Sequence, residues 1–170
     1  MVQGLPSVRL RAISAQDQRI FLVSARRSRA LHAPWVTAPQ TAVQFRAYLE
    51  RMSQPGHYPL LLEALPSAEL LGVFNLSHAV MGAFRSAYLG YYAFAGHERQ
   101  GHMTQGLKLL ARHAFTRLGL HRIEANIQPG NLASVALVKA AGFQLEGFSP
   151  RYLKINGRWR DHERWALRAD

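Results

Sequence analysis

HERQGH, residues 97–102, is the stretch on which the fold turns. Its His-Glu and second His invite a metal reading, but zinc-binding helices place two histidines four apart, on one face. His97 and His102 are five apart, about 140° around a helix of 3.6 residues per turn. They cannot hold one ion from a regular helix, and no metal is expected. Gly101 points elsewhere. It joins a strand candidate, SAYLGYYAF (86–94), to the strongest helix candidate, 103–118. In that helix Met103, Leu107, Leu110, Ala111, Ala114, Phe115 and Leu118 recur at helical spacing. Such a turn leaves N–H groups unpaired at the positive end of the helix dipole. Glycine lets the backbone come close to a ligand, and His97, Arg99 and His102 add donors. A pyrophosphate bound by main chain fits this chemistry; so does an ordinary connection.

The neighbouring segments supply the fold class. On the N-terminal side, SVRLRAI (7–13) alternates as a strand. Ser14 with Asp17 resembles a capping signal, and Ile20, Val23 and Leu31 suggest the apolar face of the helix that follows. The run RRSR (26–29) reads as a solvated face of that helix, and HAPWVTAP (32–39) as a loop. A second helix is expected over 40–52, with Phe45, Leu49 and Met52 on one side. Strands are expected at 57–65, 69–80 and 86–94, with turns at Pro66-Ser67 and Gly82. Beyond the long helix, Gly119 suits its C-terminal cap and HRIEANI (121–127) alternates as a strand. After a turn at Pro129-Gly130, Asn131 can cap a helix running to about Ala141, which Gly142 ends. Asn156-Gly157, between two strand-like runs, is a strong hairpin signal. The order β-α-α-β-β-β-α-β-α-β-β predicts an α+β architecture on a mixed sheet, in one domain spanning 1–170.

Composition narrows the function classes. The chain has 170 residues, 48% hydrophobic and 18% charged, which describes a folded domain rather than a disordered one. It has no cysteine, which excludes disulfides, thiolate metal sites and a thiol nucleophile. The N-terminus lacks the apolar segment of a signal peptide, and no apolar run is long enough to span a bilayer. A soluble, cytoplasmic protein is the expectation, with no membrane partner. The formal charge of +11 suits acidic partners such as nucleic acid or a polyphosphorylated nucleotide. It equally suits a basic surface with no partner.

Read in order, GHERQGHMTQGL, the strand HRIEAN (121–126), NLAS (131–134) and GFQLEG (142–147) resemble the GNAT superfamily of acyl-CoA N-acyltransferases. HAPW (32–35), GVFNLSHAVMGAF (72–84), YLGY (88–91) and NGRWRDHERWAL (156–167) extend the resemblance over residues 7–168. Within the superfamily they resemble the Rim type, the N-acetyltransferases of ribosomal proteins, above all those acting on the alanine of protein S5. The resemblance implies a central mixed, mostly antiparallel sheet, flanked by helices and splayed between the fourth and fifth strands. It implies acetyl-CoA as co-substrate. The family motif Q/R-x-x-G-x-G/A reads Glu98-Arg99-Gln100-Gly101-His102-Met103 here. Glu98 and Met103 depart from it, and the acid weakens one phosphate contact. The implied coenzyme residues are Arg99, Gln100, Gly101, His102, Met103 and Thr104 at the turn, with Tyr92, Ala93 and Phe94 on the strand.

The resemblance also implies direct attack of an amine on the thioester. The oxyanion then needs a backbone donor, Ala93 or Phe94, and the departing thiolate needs a proton. Many family members use a Tyr on the helix after the Asn. Val138 stands there in this chain, and Ser134, in the first turn of that helix, is the substitute. Asn131 would contact pantetheine, or cap the helix, or both. Glu124 is the candidate base, with an ion pair to Arg122 as its alternative reading; Glu50, Glu63 and His78 are outsiders. Trp35, Asn75 and Asn126 are candidate acceptor residues, with Phe74, Tyr92 and Trp159 nearby in the reading. An α-amine has a pKa of about 7.7–8.0 and Lys about 10.4, so neutralising Lys costs roughly 3.5 kcal/mol more at about 1.36 kcal/mol per unit. A weak base therefore favours an α-amine, in line with the N-terminal alanine of a ribosomal protein; a small-molecule amine is the alternative. Arg151, Lys154, Arg158, Arg160 and Arg164 on the last hairpin would suit a 3′-phosphate or ribosomal RNA, or serve only solubility. A monomer or homodimer fits equally.

Overall fold

The computed structural model describes residues 8–169. Seven strands form one sheet: β1 (Val8–Ala12), β2 (Tyr58–Ala64), β3 (Leu70–Val80), β4 (Ser86–Ala93), β5 (Arg122–Ile127), β6 (Gln144–Ile155) and β7 (Arg158–Arg168). Five helices accompany them: α1 (Gln18–Arg27), α2 (Arg29–His32), α3 (Ala42–Met52), α4 (His102–Thr116) and α5 (Leu132–Ala140). The strand order is β1-β2-β3-β4-β5-β7-β6. Every neighbouring pair is antiparallel except β4 and β5. Ser7, placed in the first strand by the sequence pattern, lies outside the described residues. No described helix is long and apolar enough to cross a membrane.

Strand alternation divides the core between the two faces. Leu61 and Val73 pack with Phe21, Phe45, Tyr48 and Phe94 beneath α1 and α3. Leu62 and Phe74 pack with Leu107, Leu110, Leu89, Ile123 and Trp165 beneath α4. Helix α4 lies close on the sheet because Gly106 has no side chain. A Cβ there would stand 2.7 Å from Leu62 Cδ1 and 2.9 Å from Phe74 Cε2. Asn156 and Gly157 take φ of 49° and 78°, the positive pair that a two-residue hairpin turn requires.

The first helical region corrects the expected face. Ile20, Val23 and Leu31 are 45%, 61% and 39% exposed, while Phe21, Leu22 and Ala25 are buried. The chain turns at Ser28 (φ −93°, ψ 6°), so α1 and α2 are separate helices and no single face runs from 20 to 31. The start does follow the signal: Ser14 and Asp17 form a capping box, with the Ser14 amide donating to Asp17 Oδ2 at 2.8 Å.

Strands β4 and β5 pair only from Ser86–Tyr88 against Arg122–Glu124. Past that point β4 stays on β3, to Gly72 opposite Ala93, and β5 stays on β7, to Ile127 opposite Glu163. Each strand keeps its outer partner and loses its inner one. The sheet therefore opens between its fourth and fifth strands, as the resemblance implies.

Candidate active site

The opening exposes main-chain groups whose identity follows from register. Phe94 donates its N–H to the Leu71 carbonyl at 2.8 Å. In an antiparallel pair, alternate residues direct their bonds to the same neighbour. Ala93 and Tyr91 therefore turn their N–H groups away from β3, into the gap. This corrects one expectation: the Phe94 amide is committed to β3 and cannot be the oxyanion donor. Tyr92 shares that orientation, and its ring packs against His32 and Phe94, at 4.9 and 5.9 Å between centroids. Its buried hydroxyl finds no partner among the described residues, and burial holds its pKa well above the usual phenol value.

A cleft of about 100 Å³ fills the widened part of the gap. It brings together Trp35, Asn126, Asn131 and Ser134 from the sequence reading, with Leu89, Gly90, Tyr91 and His162. Asn75, Glu124 and Tyr92 are not in its lining. Asn131 caps α5, its Oδ1 accepting from the Ser134 amide at 3.2 Å. The cap sets the Ser134 hydroxyl in the first turn, where it meets the Tyr91 hydroxyl. Burial pushes the Tyr91 phenol up to about 12, so it stays protonated. Val138, one turn further on, is fully buried in the core. A phenol from β4, that of Tyr91, stands instead at the first turn of α5.

Asn126 donates to Glu124 Oε1 at 3.2 Å through Nδ2. A carboxylate only accepts, so the amide orientation is fixed. Its buried Oδ1 is left without a partner among the described residues, at the cleft wall. Trp35 stacks over Gly130, 3.6 Å from the point a Cβ would occupy. The hairpin tip is tied to the Trp35 loop by Asn156, which donates to the Ala33 carbonyl at 2.9 Å.

The candidate bases fare differently. Glu124 is held by Arg122 at 2.9 Å, the ion-pair alternative of its sequence reading, and its other oxygen accepts from Asn126. Glu63 is corrected outright: it accepts from Arg9 and Arg11 at 2.6 Å each, away from the cleft. Glu50 and His78 are exposed and outside the cleft lining. Asn75 accepts from the Tyr48 hydroxyl at 2.6 Å. Trp159 is 60% exposed.

Beyond the end of β4, Gly101 takes φ of 79° and starts α4 without a side-chain cap. The helix's first bond runs from the Gln105 amide to the Gly101 carbonyl at 3.0 Å. The amides of Gly101, His102, Met103 and Thr104 therefore have no partner among the described residues. Glu98 does not compete with a phosphate there. It folds back onto the Gly96 amide at 2.9 Å, and hydrogen bonds from its own amide and that of Gly96 hold its carboxyl below the usual range. His102 offers its amide, not its ring: the ring is buried, and burial with the charge of His97 lowers its pKa. Arg99 and Gln100 are exposed.

RRSR is not merely a solvated face. Arg27 donates to the Ala95 carbonyl at 2.6 Å, and the buried Ser28 hydroxyl accepts from the Ala95 amide at 2.8 Å. His32 adds a bond from Nε2 to the Ala93 carbonyl at 2.7 Å, and burial lowers its pKa. These three residues fix the segment between the gap and the turn. The sequence reading missed them and missed Tyr91 and His162; HAPW, YLGY and RDHER each contain one, but only register tells which side chains converge. No three described His, Cys, Asp or Glu converge as a metal site.

Residues 7–144 match the family model described as acetyltransferase (GNAT) domain. The chain is 36% identical over 120 residues to "Probable N-acetyltransferase YjcK" of Bacillus subtilis, covering 71% of this chain and 66% of that protein. It is 39% identical over 99 residues to the [ribosomal protein uS5]-alanine N-acetyltransferase of Escherichia coli, covering 58% of this chain and 51% of that one. The match thus spans between half and two thirds of these relatives. Among solved structures, Mycobacterium smegmatis RimJ in complex with CoA-disulfide superposes with a TM-score of 0.88 at 27% identity, over 95% of this chain and 82% of that one.

Proposed function

Because the chain belongs to the GNAT acetyltransferase family, an N-acetyltransferase family, we propose that it transfers the acetyl group of acetyl-CoA to the α-amine of a protein N-terminus, an N-terminal alanine of a ribosomal or similar protein. The observation that carries this reading is the opened sheet. The gap between β4 and β5 holds the Tyr91–Ser134 hydroxyl pair, and β4 runs on to the turn whose amides at Gly101–Thr104 are unpartnered among the described residues. Those amides and the dipole of the 15-residue α4 suit a diphosphate. The extended pantetheine would lie along β4, where the Ala93 and Tyr91 amides face the gap.

The chemistry follows from the groups present. The amine nitrogen attacks the thioester carbon in a ternary complex, and a gap-facing amide of β4 stabilises the oxyanion. As the C–N bond forms and the C–S bond breaks, the Tyr91–Ser134 pair supplies the thiolate's proton. Among the described residues the cleft lining contains no Asp or Glu, the charges a polyamine would favour, and an α-amine with a low pKa needs the least help. We read the chain as a single domain acting in the cytoplasm, with its exposed basic hairpin facing the coenzyme's 3′-phosphate or ribosomal RNA.

The test is CoA release from acetyl-CoA across a panel of alanine-terminated peptides, other N-terminal peptides, amino acids and polyamines. Peptides with N-terminal alanine should give the highest kcat/KM. A preference for a free small amine by tenfold or more would overturn the acceptor assignment, and no turnover with any acceptor would overturn the activity.

A further inference from the structure

We propose that His162 is the general base of this transfer, taking the proton that the acceptor amine loses as its nitrogen attacks; the assignment rests on the acetyltransferase reading above. His162 sits on β7, is only 3% exposed, and yet lines the cleft with Asn126, Ser134 and Tyr91. Its Nδ1 is 2.9 Å from the Arg160 carbonyl. A carbonyl oxygen only accepts, so Nδ1 carries the hydrogen and the tautomer is set. In the neutral ring Nε2 then bears the lone pair. His162 makes no other hydrogen bond with the described residues, so that lone pair is open to a ligand.

The surroundings leave the position to this residue. The cleft lining holds two titratable side chains, Tyr91 and His162. Tyr91 is the acid, its proton held by burial. The carboxylates are elsewhere: Glu124 is bound by Arg122 and Asn126, and Glu63 by two arginines. Register places the amine. Asn126 pairs with Arg164, and cross-strand partners share a face. His162, two residues along β7, lies on that same face. Asn126, whose side chain lines the cleft beside it, marks where the amine would sit, and Nε2 takes the proton that the nitrogen loses. Acid and base thus stand on opposite walls of the opening, Tyr91 on β4 and His162 beyond β5. The balance closes: the N–H bond breaks toward Nε2, C–N forms, C–S breaks, and the thiolate takes the hydroxyl proton. Water then returns the proton from Nε2 and reprotonates the hydroxyl pair.

The experiment compares His162→Gln and His162→Asn with the unaltered chain. The Gln amide reaches the Nε2 position and the Asn amide keeps a donor for the Arg160 carbonyl, but neither takes a proton. Thermal melts and calorimetric CoA affinity are measured first, then kcat and KM with acceptors of graded basicity. The expected result is a 100- to 10,000-fold loss in kcat with a basic α-amine peptide, a range of about 10²–10⁴ for general-base loss. CoA affinity should stay within about twofold, since Nε2 touches the amine and not the coenzyme. The deficit should change with the basicity of the acceptor amine, which a merely structural role would not produce. A kcat within threefold of the unaltered chain, in either folded variant, overturns the assignment. So does an equal deficit with every acceptor. If the unaltered chain acetylates nothing, the acetyltransferase reading itself falls, a result separable from variants that alone are slow.

Discussion

Replacing Tyr91 by Phe removes one oxygen from the centre of the opening and leaves the ring packed against Phe74, 6.0 Å away between centroids. Two magnitudes then separate. The hydroxyl's bond to Ser134 is worth about 0.5–1.5 kcal/mol of net stability, so the melting temperature should fall by a few degrees at most. If the hydroxyl pair protonates the leaving thiolate, its loss costs a general-acid factor of about 10²–10⁴, or about 2.7–5.4 kcal/mol at 1.36 kcal/mol per tenfold. Turnover should therefore collapse in a protein that folds. Ser134→Ala should do the same, with CoA affinity nearly unchanged in both. The double variant decides whether the two act together. A relay fails once when either member is lost, so the double should be about as slow as the slower single. The assay is thiol release under saturating acetyl-CoA and peptide, with CoA affinity by calorimetry. If the two losses multiply, the hydroxyls act independently; if Tyr91→Phe turns over within threefold of the unaltered chain, the phenol has no part in the chemistry. With its proton held up to about pH 12, Tyr91 should also impose no alkaline loss of kcat below about pH 10.

Gly101→Val should raise the Kd for CoA by tenfold or more while leaving the secondary structure intact. Its φ of 79° costs an L-residue about 1–2 kcal/mol, and the strained turn misplaces the amides; unchanged calorimetric affinity would refute this. Burial lowers the pKa of His32 and of His102, so below about pH 6.5 the unfolded chain takes up protons that the fold does not. Stability should fall as pH drops from about 6.5 toward the folded pKa values, and His102→Phe should flatten the pH dependence of the melting temperature. Asp17 acts in the same direction at lower pH. Hydrogen bonds from Arg11 lead those that depress its pKa, so its contribution is complete above about pH 3.9 and is lost as pH falls through the folded value. Asp17→Ala should cost about 2 kcal/mol at pH 7 and less in acid, read by denaturant unfolding.

The fold was legible where local chemistry decides local shape. Asn156-Gly157 forces its hairpin because both residues tolerate positive φ. Asn131 caps α5 through the Ser134 amide, and Gly101 marks the start of α4 by a left-handed backbone. The first helical region was not legible in the same way. Ile20, Val23 and Leu31 fit one apolar stripe only if the helix is continuous, and the turn at Ser28 breaks it. That turn depends on a distant partner: the Ser28 hydroxyl also receives the Ala95 amide, sixty-seven residues away along the chain. No periodicity window contains both.

The candidate site follows the same division, and the division explains which residues a linear reading misses. Amide donors at a helix start depend on backbone alone, so one glycine suffices to suggest them. Side-chain chemistry across a sheet depends on register, where a shift of one residue sends a side chain to the other face. Ala93 and Phe94 are adjacent in sequence and indistinguishable there as oxyanion donors. The Phe94–Leu71 bond alone settles that 94 faces β3 and that 93 and 91 face the gap. The same alternation carries Tyr91 to Ser134 on one side, and places His162 beside Asn126 on the other. Glu124, the leading base candidate of the sequence reading, lies opposite Tyr88 at the last rung before the sheet opens. There Arg122 can reach it. Two residues further, at Asn126, the partner strand is gone and a buried polar oxygen is left without a partner among the described residues. The chemistry is concentrated where pairing stops, and pairing is a property of two strands at once.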